Sequence, residues 1–270
     1  ASSKTYTATV TNSAAIPTNS LCVSRTYTGS AQQLTSATSG TGYTLSGYSQ
    51  TNAGTYTITA TLASGYRWSD NTTGTKTFSC TMARKAVAEP GCTSATYNGS
   101  SQTLLAAKTS GEYTNSAITG TNAGSYSQTL TLNSNYQWSS GSNVTSNRTK
   151  TCTISKATPT ITLSATSGTV VAGKTMTFTA TVKSGTSTTV AGTLGASSGS
   201  TSYATISPTS TSITGADNSS GKATTETVTG VASGSSTITV TFTPTDTTNF
   251  NSASSKTYTA TVTNSAAIPT

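Results

Sequence analysis

The sequence has no histidine, and only 7% of its 270 residues are charged; ordinary globular chains carry roughly 25%. Acidic residues number six, and none stands beside another. General acid–base chemistry therefore finds no paired carboxylates, and the abundant serines have no base near them in sequence. The chain reads as a non-enzyme that needs no cofactor. A metal site is disfavoured for the same reason. Asp70, Asp217 and Asp246 are isolated acids, whereas calcium wants several converging oxygens. Zinc wants CxxC pairs or histidines, and neither is present. No apolar run is long enough to cross a bilayer, and no signal peptide is seen. The net charge of +8 is thinly spread, with Arg84–Lys85 the one adjacent basic pair. Nucleic-acid binding, which asks for clustered basic residues or a known motif, is not expected. Charge-driven disorder is not expected, because the charge is missing, and low-complexity disorder from Ser, Thr and Gly is the rival reading.

Repetition is what the sequence has in quantity. ASSKTYTATVTNSAAIPT opens the chain at Ala1 and returns unchanged at Ala253, 252 residues on. Such an offset marks a longer array of fixed period. A second repeat lies inside the first. Cys22, Tyr27, Gly29, Gln32 and Leu34 recur 70 residues later as Cys92, Tyr97, Gly99, Gln102 and Leu104. TNAGTY at Thr51 returns as TNAGSY at Thr121, and Tyr66–Trp68 as Tyr136–Trp138. From about Ser155 onward the pattern changes. Pro17, Pro90, Pro159 and Pro269 fall between the modules, where fixed φ values make stiff joints. The expected division is an overhang at 1–18, small modules at 19–87 and 88–157, a larger module at 158–264 and a linker at 265–270.

Apolar residues alternate with threonine at Tyr56–Leu62, Met176–Val182, Ile238–Phe242 and Tyr258–Val262. Period-two patterning with a β-branched polar residue on the outer face is a half-buried antiparallel strand. No stretch shows helical spacing. The fold class is therefore all-β: tandem small β-sandwich or Ig-like modules in an elongated array.

Four cysteines in a chain rich in Ser and Thr point to an oxidising compartment. The duplication favours Cys22–Cys80 and Cys92–Cys152, because each copy then owns one early and one late cysteine. The rival pairing, Cys80–Cys92, would staple the modules across their linker. A cross-link closing a loop of this length stabilises by roughly 4 kcal/mol in the chain-entropy model. Domains this small are otherwise marginal.

TYTGSAQQL, TNAGTYTITATL and GYRWSDNTTGTKTF, with TYNGSSQTL, TNAGSYSQTLTL and NYQWSSGSNV in the second copy, resemble the small bacterial surface repeats known as MBG or YDG modules. SGTVVAGKTMTFTATV, VASGSSTITVTF and FTPTDTTNFNSASSKTYTATV resemble the bacterial Ig-like domains of large adhesins. The resemblance implies extracellular, cell-attached or secreted, repetitive β-proteins. It differs at the last strand, where an aromatic is usual and this chain has Cys80 or Cys152.

The leading expectation is a structural repeat unit of a bacterial stalk, fibre or filament, whose partners are neighbouring repeats of the same protein. An alternative is an adhesin module for a glycan or host-surface protein, with Tyr66, Trp68, Tyr136 and Trp138 as its platform. A further alternative is a filament built by strand donation, with Thr5–Val10 as the donated strand. A Lys–Asn cross-link of the adhesin type would draw on Lys174, Glu226 and Asn251. Sequons at Asn71, Asn98, Asn143, Asn147 and Asn218 offer glycosylation points in a suitable host.

Overall fold

A computed structural model describes all residues except 1, 8, 9, 142, 143 and 266–270; Asn143 and Pro269 lie outside the described residues. The chain is all-β, and its one helical element among the described residues is a 3-10 turn at Asn19–Leu21.

Its contacts fall into two compact units. The first comprises Ala1–Pro90, Ala107–Ser116 and Thr129–Lys150; the second comprises Gly91–Ala106, Ala117–Gln128 and Thr151–Thr270.

In the first unit, a five-stranded sheet runs in the order Arg25–Thr26, Lys76–Ala83, Gly54–Leu62, Tyr43–Ser46, Ser39–Gly40. Gly54–Leu62 and Lys76–Ala83 pair antiparallel, which places Ile58 opposite Phe78 and Tyr56 opposite Cys80. Alternation does the rest. Ile58, Ala60, Phe78, Cys80 and Met82 turn inward, while the threonines between them face water. With Leu34, Leu45 and Trp68 they form one core. Each large side chain buried there is worth about 1.5–3 kcal/mol.

The second small module contributes to both units. In the first unit, Tyr113–Thr114 pairs with the far end of Gly124–Leu132, and Leu130 and Trp138 are buried. In the second unit, Ala95–Thr96 pairs with the end of Arg148–Ser155, and Leu104, Ile118, Cys152 and Ile154 form a separate core. The reason for the divided core is legible in two residues. Where the first copy sets Ile58 against Phe78, the second has Gln128 and Lys150. Gln128 is exposed, and the Lys150 ammonium lies 3.9 Å from Glu89.

The larger module is a sandwich within the second unit. A four-stranded sheet runs Thr160–Leu163, Thr175–Lys183, Lys222–Gly230, Ala204–Ser207. A five-stranded sheet runs Ser167–Val171, Lys256–Thr263, Gly234–Pro244, Val190–Ser198, Ser210–Ala216. Inward residues of both sheets share one core, in which the Phe178 and Tyr258 rings stack at 4.3 Å.

That five-stranded sheet shares its first three strand positions and its senses with the sheet of the first small module, while the last two strands come in the opposite chain order. In each, the outer strand joins the last strand in parallel, and the remaining pairs are antiparallel. Gly54 stands opposite Met82, and Gly234 opposite Val262. Gly54, Gly124 and Gly234 open the equivalent strands at φ of 157°, 153° and 150°, a region that favours glycine. The first small module thus shares with one face of the large sandwich its parallel edge strand and the two strands beside it.

Candidate functional site: the disulfides and the joints

Both disulfides close within one small module. Cys22–Cys80 spans 58 residues and Cys92–Cys152 spans 60, with Cα separations of 5.4 and 5.6 Å. Cys22 follows the 3-10 turn at the start of its module, and Cys80 sits in the last long strand. Each disulfide thus links the entry of its module to the strand nearest its exit.

The joints are built by a shared device. The linker entering each module adds to that module as a short parallel ribbon. Asn12–Ala14 pairs with Tyr66–Trp68, and Lys85–Val87 with Tyr136–Trp138; Ala157 forms a parallel bridge to Phe250. The opening hydrogen bond is the same each time: Asn12 N donates to Gly65 O at 3.0 Å, Lys85 N to Asn135 O at 3.0 Å, and Ala157 N to Asn249 O at 2.9 Å.

Asn135 also reaches back to the TNAG loop of the first module. Its Oδ1 accepts from Ala53 N at 2.8 Å, and its Nδ2 donates to Asn52 Oδ1 at 3.0 Å. Asn249 repeats the contact one joint later, accepting from Ala123 N at 2.7 Å and donating to Asn122 Oδ1 at 3.3 Å. A ring follows each asparagine. Tyr136 meets Tyr27 edge-on at 5.4 Å, and Phe250 meets Tyr97 edge-on at 5.4 Å. A basic side chain completes the set: Arg84 Nε donates to Ser134 O and Lys156 Nζ to Thr247 O. Loop amides that would otherwise face water are thereby satisfied across each joint.

The aromatic candidates are placed by the same ribbons. Trp68 and Trp138 are 0% and 1% exposed. Their indoles pack against Tyr43 and Tyr113 and donate inward to Gly74 O and Ser146 O. Tyr66 and Tyr136 are half-buried. Period-two geometry on a strand puts residues such as Tyr66 and Trp68 on one face, and that face packs against the core.

No family of known proteins matches this sequence, and no curated protein does. Among solved structures, the chain is similar to domains 4 and 5 of the S-layer protein SbsC, at 23% identity over 54% of this chain with a TM-score of 0.29. It spans 61% of that structure's length. It is also similar to the S-layer protein rSbsC(31-844), at 18% identity over 93% of this chain and 40% of the other, TM-score 0.32. A third similarity is to Dpr2 Ig1-Ig2 in complex with DIP-Theta Ig1-Ig3, at 11% identity over 86% and 84%, TM-score 0.21. Superpositions this loose carry no functional weight.

The acids occupy local turns. Asp70 accepts from Thr72 and from Lys76 Nζ at 2.6 Å, and Lys76 beside it holds its carboxyl well below the usual range. Asp217 is held low by the Gly221 amide and by Ser219 and Ser220. Asp246 accepts from Thr248 and Asn249. Among the described residues, no group of three His, Cys, Asp or Glu is placed to hold a metal, and no helix is long and apolar enough to cross a membrane. Glu226 is 1% exposed, with Oε2 unpaired, but Lys174 and Asn251 lie at the surface. The buried trio that a Lys–Asn cross-link requires is not formed. At the start of the chain, residues 2–7 and 10 belong to no strand, and Tyr6 and Val10 are 86% and 89% exposed.

The sequence reading missed the joint asparagines. Their signal was the Asn–aromatic pair repeated at Asn135–Tyr136 and Asn249–Phe250, in modules that otherwise look unrelated.

Proposed function

We propose that this chain is a load-bearing structural segment of a repetitive bacterial cell-surface or secreted protein. It sets distance and carries tension between an anchor and whatever lies beyond. The observation that carries this reading is the pair of disulfides, each tying the beginning of a small module to its last strand. Their presence also favours an oxidising, extracellular setting. The sealed joints support the same reading, because each module enters the next through backbone ribbon, amide and ring contacts and not through a bare tether.

Single-molecule pulling from end to end tests it. Oxidised protein should show one long extension, from the cysteine-free large module, of roughly 300–400 Å at about 3.5 Å per residue. Reductant should add two further steps of roughly 200 Å each, from the freed loops. Three long steps in oxidised protein would overturn the proposal.

A further inference from the structure

Four large apolar side chains are exposed among the described residues: Tyr6, Val10, Tyr203 and Val231. The first two lie in the opening segment, and their identical counterparts Tyr258 and Val262 are 3% and 2% exposed in the last strand of the large module. Tyr203 and Val231 sit side by side, with Tyr203 O accepting from Val231 N at 2.8 Å. The Tyr203 ring lies over Gly234, where an added Cβ would fall 2.4 Å from it, and 41% of Tyr203 and 48% of Val231 stay exposed.

Their position is informative. Val231-Ala232-Ser233-Gly234 occupies in the large module the place that TNAG occupies in the small ones, since Gly54 and Gly234 share register and φ. In both joints described above, that loop is where the next module docks. At those joints Asn52 faces Asn135, and Asn122 faces Asn249. The large module has Ala232 where they have Asn52 and Asn122.

The first small module shows the complementary change. The residue whose carbonyl receives its incoming linker is Gly65, where the later modules have Asn135 and Asn249. The linker it receives, TNSAAIPT, is the same sequence that leaves the large module at Thr263. So the amide is missing on both sides of this one junction, and an apolar corner stands in its place. The Tyr66 ring follows Gly65 as Tyr136 and Phe250 follow their asparagines.

We infer that the exposed Tyr203–Val231 corner of the large module is the seat for the Ser64–Gly65–Tyr66 corner of the first small module in the next copy of the repeat. The contact rests on the array reading given above and names the one junction that the chain does not itself contain. Matched amides at two joints and matched apolar surfaces at the third set this junction apart from the other two. The large module thereby favours the first small module as its successor, since an amide set against the Tyr203–Val231 corner is left unpaired.

The test uses a chain of two consecutive copies, residues 1–270 continued by a second 19–270. Ala232→Cys in the first copy and Ser64→Cys in the second are bridged with a short bis-maleimide. The control pairs Ala232→Cys with Ser30→Cys, which lies beside the Tyr27 loop at the end that receives the following module. Docking raises effective concentration, so the first pair should bridge at least about tenfold faster than the control. Tyr203→Ser with Val231→Ser in the first copy should bring the rate down to the control. Val231→Asp alone, at a position 48% exposed that folding tolerates, should do the same. Bridging no faster than the control, or unmoved by these substitutions, overturns the contact. Such a failure leaves the load-bearing reading intact if the pulling result holds, and three long steps in oxidised protein would remove that reading while leaving the bridging rates to judge the contact.

Discussion

One asparagine does at each of two joints what neither loop can do alone. Asn135 satisfies a backbone N–H and a side-chain carbonyl of the preceding module with its two amide atoms. Truncating it leaves the Ala53 N–H without its acceptor, a loss of about 1–3 kcal/mol where the group stays shielded. Asn135→Ala should therefore speed hydrogen exchange at Ala53 while leaving Ala123 unchanged, and Asn249→Ala should do the reverse. Equal protection of both amides in both variants would refute the assignment. Glu226 makes a different residue-scale claim. It is buried opposite Phe178, and burial raises its carboxyl above the ordinary 4.5. A raised acid is protonated in the folded chain where the unfolded chain has already ionised. Folding then takes up a proton, so this group's contribution falls as pH rises from about 4.5 through its folded value, and is level above it. Glu226→Gln should flatten that slope and be the more stable protein at neutral pH, as measured by denaturant titrations across pH 4 to 8. Asp70, Asp217 and Glu112 are shifted the opposite way. Their contributions are full at neutral pH and fade as pH falls through the acid range, so the wild-type minus variant difference isolates Glu226. A difference that does not change with pH would sink the claim.

At the scale of strands, the two small modules share a plan and part where the first sets Ile58 against Phe78. Ile58 opposite Phe78 continues the core of the first; Gln128 and Lys150 interrupt that of the second. Gln128→Ile with Lys150→Phe should stabilise the second module by about 2 kcal/mol, the gain from burying two further side chains incompletely. Denaturant unfolding with the disulfides intact would show it as a higher midpoint, and a lower midpoint would mean that the polar pair has a role of its own. The long strands were legible in the sequence because threonine alternates with apolar residues throughout Gly54–Leu62, Thr175–Lys183 and Gly234–Pro244. The ribbons Asn12–Ala14 and Lys85–Val87 were not. They are three residues long, lie beside prolines and carry no alternation, so only their partner strand defines them. Asn135 was equally opaque. It is one polar residue in a polar turn, and the amide it serves lies 82 residues away in sequence. The three-strand arrangement common to small and large modules was hidden for a related reason: the backbone register persists while the side chains differ, and one trace is the glycine that ends TNAG and VASG.

For the molecule as a whole, the compact units do not coincide with the repeats in the sequence. The joint between the small modules lies inside the first unit, and the joint between the second and the large module lies inside the second. The second small module is where the two units meet along the chain, and the interrupted core of that module is the physical reason. Stability should therefore propagate by unit and not by repeat. Ile58→Ala, which opens a cavity in the first core, should cost roughly 2–5 kcal/mol. Amide exchange at Leu130 and Trp138 should then accelerate together with that of the first module, because all three belong to one unit. Leu104, Ile118 and Ile154 should keep their protection. The converse change, Leu104→Ala, should loosen Ile118 and Ile154 and spare Trp138. Joint acceleration of Leu104 and Leu130 in either variant would show that the second repeat opens as a single body, and that its linkers, not its middle, are where cooperativity ends.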